Sequence, residues 1–106
     1  MNYEEIFQKY KVETLKGRYI TLNDIEPVLK KWNTNNQLQE VGTSVLGAPI
    51  YSYEIGTGKN RIFLWSQMHG NESTTTKALF DFFNVIHSQE AIGVKLLQEF
   101  TFCFLP

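Results

Sequence analysis

Arg61-Ile62-Phe63-Leu64-Trp65-Ser66-Gln67-Met68-His69-Gly70-Asn71-Glu72-Ser73-Thr74-Thr75-Thr76-Lys77-Ala78-Leu79-Phe80-Asp81-Phe82-Phe83 reads as a strand, a tight turn and the start of a helix. Arg61 to Trp65 is short and almost wholly apolar, which predicts a central strand covered on both faces, with Trp65 in the core. From Ser73 to Gln89 the period becomes helical. Leu79, Phe82, Phe83 and Ile86 stand at i, i+3, i+4 and i+7, while Lys77, Asp81, Asn84 and Ser88 form a polar face. Between strand and helix lies Gln67-Met68-His69-Gly70-Asn71-Glu72.

Upstream, Gly56-Thr57-Gly58-Lys59-Asn60 marks a turn, too short for a phosphate-binding loop. Before it, Ile50 to Ile55 and Val41 to Val45 alternate with period two around Gly47-Ala48-Pro49, a hairpin pattern. Further back, Leu22, Ile25, Leu29 and Trp32 share one helix face, and Thr21 with Asp24 resembles a capping box. Pro27 fits that helix only if it begins near Asp24. Tyr3 to Lys11 predicts a short helix, and Asn33 to Gln37 a polar break. Downstream, Ala91 to Glu99 predicts a further helical turn or two, and Phe100 to Leu105 a buried strand. Strands alternating with helices imply an α/β sandwich. The expected organisation is one domain over residues 1–106, with a helical lead-in at 1–36 and the start of a sheet at 37–106. A chain that stops in Phe-Thr-Phe-Cys-Phe-Leu-Pro without a polar tail is expected to be truncated.

Composition narrows the class of function. Hydrophobic residues make up 42% of the chain, enough for a packed core. The net charge is −1 and no basic stripe occurs, so neither nucleic acid nor a membrane surface is an expected partner. Cys103 is the single cysteine, which excludes an internal disulfide and a cysteine-rich zinc ribbon and predicts a small core residue. The acidic start, Met1-Asn2-Tyr3-Glu4-Glu5, lacks a signal-peptide pattern; the expected compartment is the cytoplasm, with secretion of a longer parent left open.

His69 and Glu72 are the candidate metal ligands. A divalent zinc takes imidazole nitrogen and carboxylate oxygen. Two ligands three residues apart reach one ion if the chain bends between them, and Gly70 permits the bend. The end of a sheet strand is also where α/β folds place their sites. Spacing alone leaves a second reading open, in which His69 caps the strand and Glu72 stabilises a helix N-terminus. His87 follows Glu72 by fifteen residues of helix, roughly 20 Å along the axis, too far to share a zinc ion; it is expected to flank the apolar stripe. Ser73 and Thr74 to Thr76 are expected as helix caps and first-turn residues rather than nucleophiles. No catalytic residue is identified within the chain.

The segment Trp65-Ser66-Gln67-Met68-His69-Gly70-Asn71-Glu72-Ser73-Thr74-Thr75-Thr76, with the preceding Val41-Gly42-Thr43-Ser44-Val45-Leu46-Gly47-Ala48-Pro49-Ile50-Tyr51, resembles bacterial members of the zinc carboxypeptidase family. The resemblance covers about Val41 to Pro106; residues 1–40 look like a variable lead-in and add little to it. It implies the N-terminal part of a three-layer α/β/α sandwich around a mixed sheet. It further implies one zinc ion held in part by His69 and Glu72, a peptide substrate, and hydrolysis of C-terminal peptide bonds. The family's second histidine ligand, its catalytic glutamate and its substrate-gripping arginine and asparagine come later than Pro106, so the 106-residue chain is expected to be inactive alone and to bind zinc weakly. Two alternatives stand beside this reading. A deacylase of N-acyl amino acids, similar to aspartoacylase and succinylglutamate desuccinylase, also carries His-Gly-Asn-Glu after a strand. A non-catalytic domain would instead bind a partner through exposed sheet edges; independently of that reading, the final strand is expected to be exposed and to favour self-association. A later histidine and glutamate would discriminate the enzymes from the binding domain.

Overall fold

In the computed structural model, residues 2–106 are described. Met1, part of the acidic start read above, lies outside them. The elements run α1 (Tyr3–Tyr10), α2 (Leu22–Trp32), β1 (Leu38–Thr43), β2 (Pro49–Gly56), β3 (Asn60–Trp65), α3 (Thr74–His87), α4 (Ala91–Glu99) and β4 (Phe100–Leu105). The four strands form one mixed sheet in the order β1-β2-β4-β3. β2 is antiparallel to β1 and to β4, whereas β3 runs parallel to β4. This is the mixed α/β architecture expected from the sequence.

Strand alternation assigns the two faces of the sheet. Tyr53 is paired with Phe104 and Ile55 with Phe102 across β2 and β4, and Ile62 and Leu64 stand beside the same phenylalanines on β3. These side chains meet Leu15, Ile20, Ile25, Leu29 and Trp32 from the N-terminal third and Phe80, Phe83 and Ile86 from α3 in one core. Aromatic rings fill much of it. Trp32 stacks on Phe80 at 5.2 Å between ring centroids, and Phe83 stacks on Phe104 at 5.1 Å. Offset or edge contacts of this kind add about 0.5–1.5 kcal/mol each to the burial itself.

Several expectations change here. β4, not β3, holds the inner position, because it pairs on both sides while β3 pairs with β4 alone. The intervening residues on the other face, Phe63 and Trp65, are 57% and 52% exposed, so Trp65 is not a core residue in this chain. An apolar run identifies a strand but does not specify which neighbours cover it. Cys103 shares that face with them, where it is half-buried rather than packed in the core. β1 starts at Leu38, earlier than the alternation suggested, and Val45 and Leu46 stand fully exposed in the turn. That turn is closed by Ser44, whose N–H donates to Ala48 O at 2.8 Å and whose Oγ accepts from the Ala48 N–H at 3.0 Å.

α2 begins at Leu22, so Pro27 lies inside the helix and withholds one backbone donor there. Asp24 fixes the start by accepting from the Thr21 N–H at 2.8 Å. On α3 the buried face runs Thr76, Phe80, Phe83, Ile86, with Leu79 and Phe82 only partly covered. Gly58 has a packing role rather than a ligand role. A Cβ there would meet the Glu99 carbonyl carbon at 2.0 Å, and Thr101 Oγ1 donates to Gly58 O at 2.7 Å.

Candidate metal centre

β3 ends at Trp65 and α3 starts at Thr74, and the eight residues between them carry the chemistry. Ser66 is tied to the neighbouring strand through its N–H, which donates to Leu105 O at 3.2 Å. The chain then leaves the sheet sharply at Gln67, whose φ of 55° lies in the left-handed region that disfavours residues with a Cβ. A turn closes between the two candidate ligands, with the Glu72 N–H donating to His69 O at 3.0 Å.

This turn points both side chains the same way. His69 Nδ1 lies 3.1 Å from Glu72 Oε2, and the side chains are 68% and 70% exposed. Zinc holds such atoms at about 2.0–2.2 Å, so two tetrahedral ligand atoms on one ion stand about 3.4 Å apart. The observed separation is within a few tenths of an ångström of that. Donor chemistry and spacing therefore both fit a shared divalent ion. The same pair is also a hydrogen bond in the tautomer that protonates Nδ1. Among the described residues no group of three His, Cys, Asp or Glu side chains converges on a metal position. Trp65, Met68, Thr74 and Thr75 join the pair in lining an open depression of about 490 Å³.

The other histidine is elsewhere. His87 ends α3, where its Nε2 is 2.8 Å from Tyr53 Oη and its ring lies 5.1 Å from that of Trp32. Burial pushes its imidazole pKa down from the ordinary value and that of the Tyr53 phenol up. It flanks the apolar stripe, as its spacing implied.

Sequence reasoning missed the scaffold under the turn. Ser73 occupies the N-cap position of α3, yet its hydroxyl makes no capping bond and instead donates to Arg18 O at 2.7 Å. Thr76 lies in the first turn of α3, as expected, but does more than start the helix. It is buried, and its hydroxyl bonds Ser66 Oγ at 2.9 Å and Gln67 Oε1 at 2.8 Å. Along the polar face of α3, Lys77 Nζ donates to Gly17 O, Asp81 accepts from the Val12 N–H and Asn84 donates to Tyr10 O. The polar face is thus the dock for the backbone of the lead-in. The only sequence signal was negative: the segment from Val12 to Tyr19 has no repeating pattern of its own with which to satisfy its backbone groups.

No curated protein matches the chain. Among solved structures, that of thrombin activatable fibrinolysis inhibitor matches with a TM-score of 0.64 at 15% identity, covering 97% of this chain. At that identity the match speaks for the fold, and the chain spans 31% of the length of that structure. The family model described as zinc carboxypeptidase matches residues 23–106, which include the strand, the His-Gly-Asn-Glu turn and α3. The chain belongs to the zinc carboxypeptidase family.

Proposed function

We propose that this chain supplies His69 and Glu72 as two ligands of the single zinc ion of a metallocarboxypeptidase that hydrolyses C-terminal peptide bonds. The observation that carries the reading is the 3.1 Å approach of His69 Nδ1 to Glu72 Oε2, at the carboxyl end of a strand parallel to its neighbour. Exposure supports it as well. Neither side chain is buried by the chain's own core, so both heads remain available to an ion and to further ligands.

The chemistry a zinc ion would supply there is polarisation of the scissile carbonyl and acidification of a water molecule. The task of His69 and Glu72 is positional, since each offers one donor atom to the same point. Their neighbours shape access. Met68 and Trp65 contribute apolar side chains to the lining of the depression, and Thr74 and Thr75 contribute hydroxyl-bearing ones. Among the described residues no third ligating side chain joins His69 and Glu72. The chain alone is therefore inactive in this reading.

The test is release of the last residue from a chromophoric acyl-dipeptide in the presence of zinc. The 106-residue chain should release none. The longest protein that contains it should release the residue, and His69→Ala or Glu72→Ala in that protein should abolish release. Full turnover by either variant would overturn the assignment.

A further inference from the structure

The amide of Gln67 is fully committed. Its Nε2 donates to Ile20 O at 2.7 Å and to Gly70 O at 2.9 Å, and its Oε1 bonds the Thr76 hydroxyl at 2.8 Å. Three separate segments meet at this one side chain: the lead-in, the turn between His69 and Glu72, and the first turn of α3. Gly70 does not take the left-handed backbone that the bend was expected to need of it; that conformation falls on Gln67, and nothing packs within 4 Å of where a Cβ on Gly70 would be. With no contact of that kind to steer the chain at Gly70, the bond from Gln67 fixes the carbonyl between the two ligands. The backbone at Gln67 meanwhile adopts a conformation that a glycine or asparagine would take more readily. A strained backbone position retained with a side chain whose polar atoms are all used indicates that the side chain has a task.

We infer that Gln67 is a positioning residue for the metal centre: it clamps Gly70 O and Ile20 O so that His69 and Glu72 converge, and it thereby makes the lead-in part of the site. This inference rests on the zinc reading above for its purpose, though the clamp itself is a property of the metal-free chain. The lead-in contributes from two points, because the Ser73 hydroxyl also holds Arg18 O, two residues before Ile20. Without that support the Gly70 peptide is free to rotate, and the two ligand heads lose their common target.

Two variants separate this role from general stability. Gln67→Glu keeps size and the contact to Thr76 but sets a carboxylate oxygen against the Ile20 and Gly70 carbonyl oxygens. Gln67→Gly removes the clamp while easing the left-handed backbone. Calorimetric zinc titration and amide hydrogen exchange are read on the same labelled chains. In both variants zinc affinity should fall about 10- to 100-fold, as on loss of an outer-shell partner. The Glu72 amide should exchange faster, while the amides of Phe83 and Phe104 keep wild-type protection. Wild-type exchange at Glu72 in both variants, or faster exchange with unchanged zinc affinity, overturns the inference. If the wild-type chain takes up no zinc, the functional reading fails separately. The exchange comparison then still decides whether Gln67 orders the turn, with faster Glu72 exchange upholding the clamp and unchanged exchange ending it.

Discussion

Two histidines stand near opposite ends of α3, and their surroundings give them opposite properties. His69 precedes the helix on an exposed turn with a carboxylate 3.1 Å from its ring nitrogen. His87 closes the helix against Trp32 and Tyr53, with a phenol as its hydrogen-bond partner and burial holding its pKa down. The first environment leaves a nitrogen and an oxygen free to share a cation. The second favours a neutral ring and uses it as packing. Residue type alone does not separate a ligand from a core group; the partner and the water around it do.

The contrast can be broken most forcefully from the core side. Phe83 is fully buried and stacks on Phe104, so Phe83→Ala should lower stability by about 3–5 kcal/mol in chemical denaturation. His69→Ala, on the exposed turn, should shift stability by no more than about 0.5 kcal/mol. A similar loss from both would mean that the turn is part of the core after all. The same His69→Ala substitution, and Glu72→Ala separately, should weaken zinc binding at least about tenfold, or about 1.4 kcal/mol in a titration. Smaller in effect, Ser73→Ala should cost about 1 kcal/mol through the lost bond to Arg18 O and loosen the lead-in, seen as faster proteolysis between Val12 and Ile20.

The smallest effect concerns pH and belongs to His87. Its folded-state pKa lies below the ordinary histidine value of about 6.5, so the unfolded chain binds a proton more readily. The stability that this neutral ring contributes is complete above that value and is lost as pH falls from there toward the folded-state pKa. His87→Phe keeps a ring against Trp32 and should flatten that part of the stability–pH curve. An unchanged slope in the variant would place the titrating group elsewhere.

Much of this layout is legible in the residues. The alternation around Ile50 to Ile55, the face shared by Leu22, Ile25, Leu29 and Trp32, and the length of Ser73 to Gln89 place the hairpin, α2 and α3 within a few residues. The His-Gly-Asn-Glu turn is legible for the same reason, since it sits between two well-marked elements. Strand order was not, because β3 and β4 are both apolar and only pairing distinguishes the inner strand from the outer one. The scaffold of the site was hidden more deeply. Gln67 and Ser73 are ordinary polar residues whose roles depend on contacts with Ile20 and Arg18, about fifty residues away in sequence, and Thr76 acts through Ser66 and Gln67. A left-handed backbone at a glutamine carries no compositional signal, as it would at a glycine.

Zinc-edge X-ray absorption on the chain with substoichiometric metal asks directly whether one imidazole and one carboxylate hold the same ion. The expected spectrum has only nitrogen and oxygen neighbours at about 2.0–2.2 Å, with the outer scattering of one imidazole that disappears in His69→Ala. A sulfur neighbour at about 2.3 Å, such as the thiolate of the single cysteine Cys103 would give, would contradict this account, as would imidazole scattering that survives the substitution.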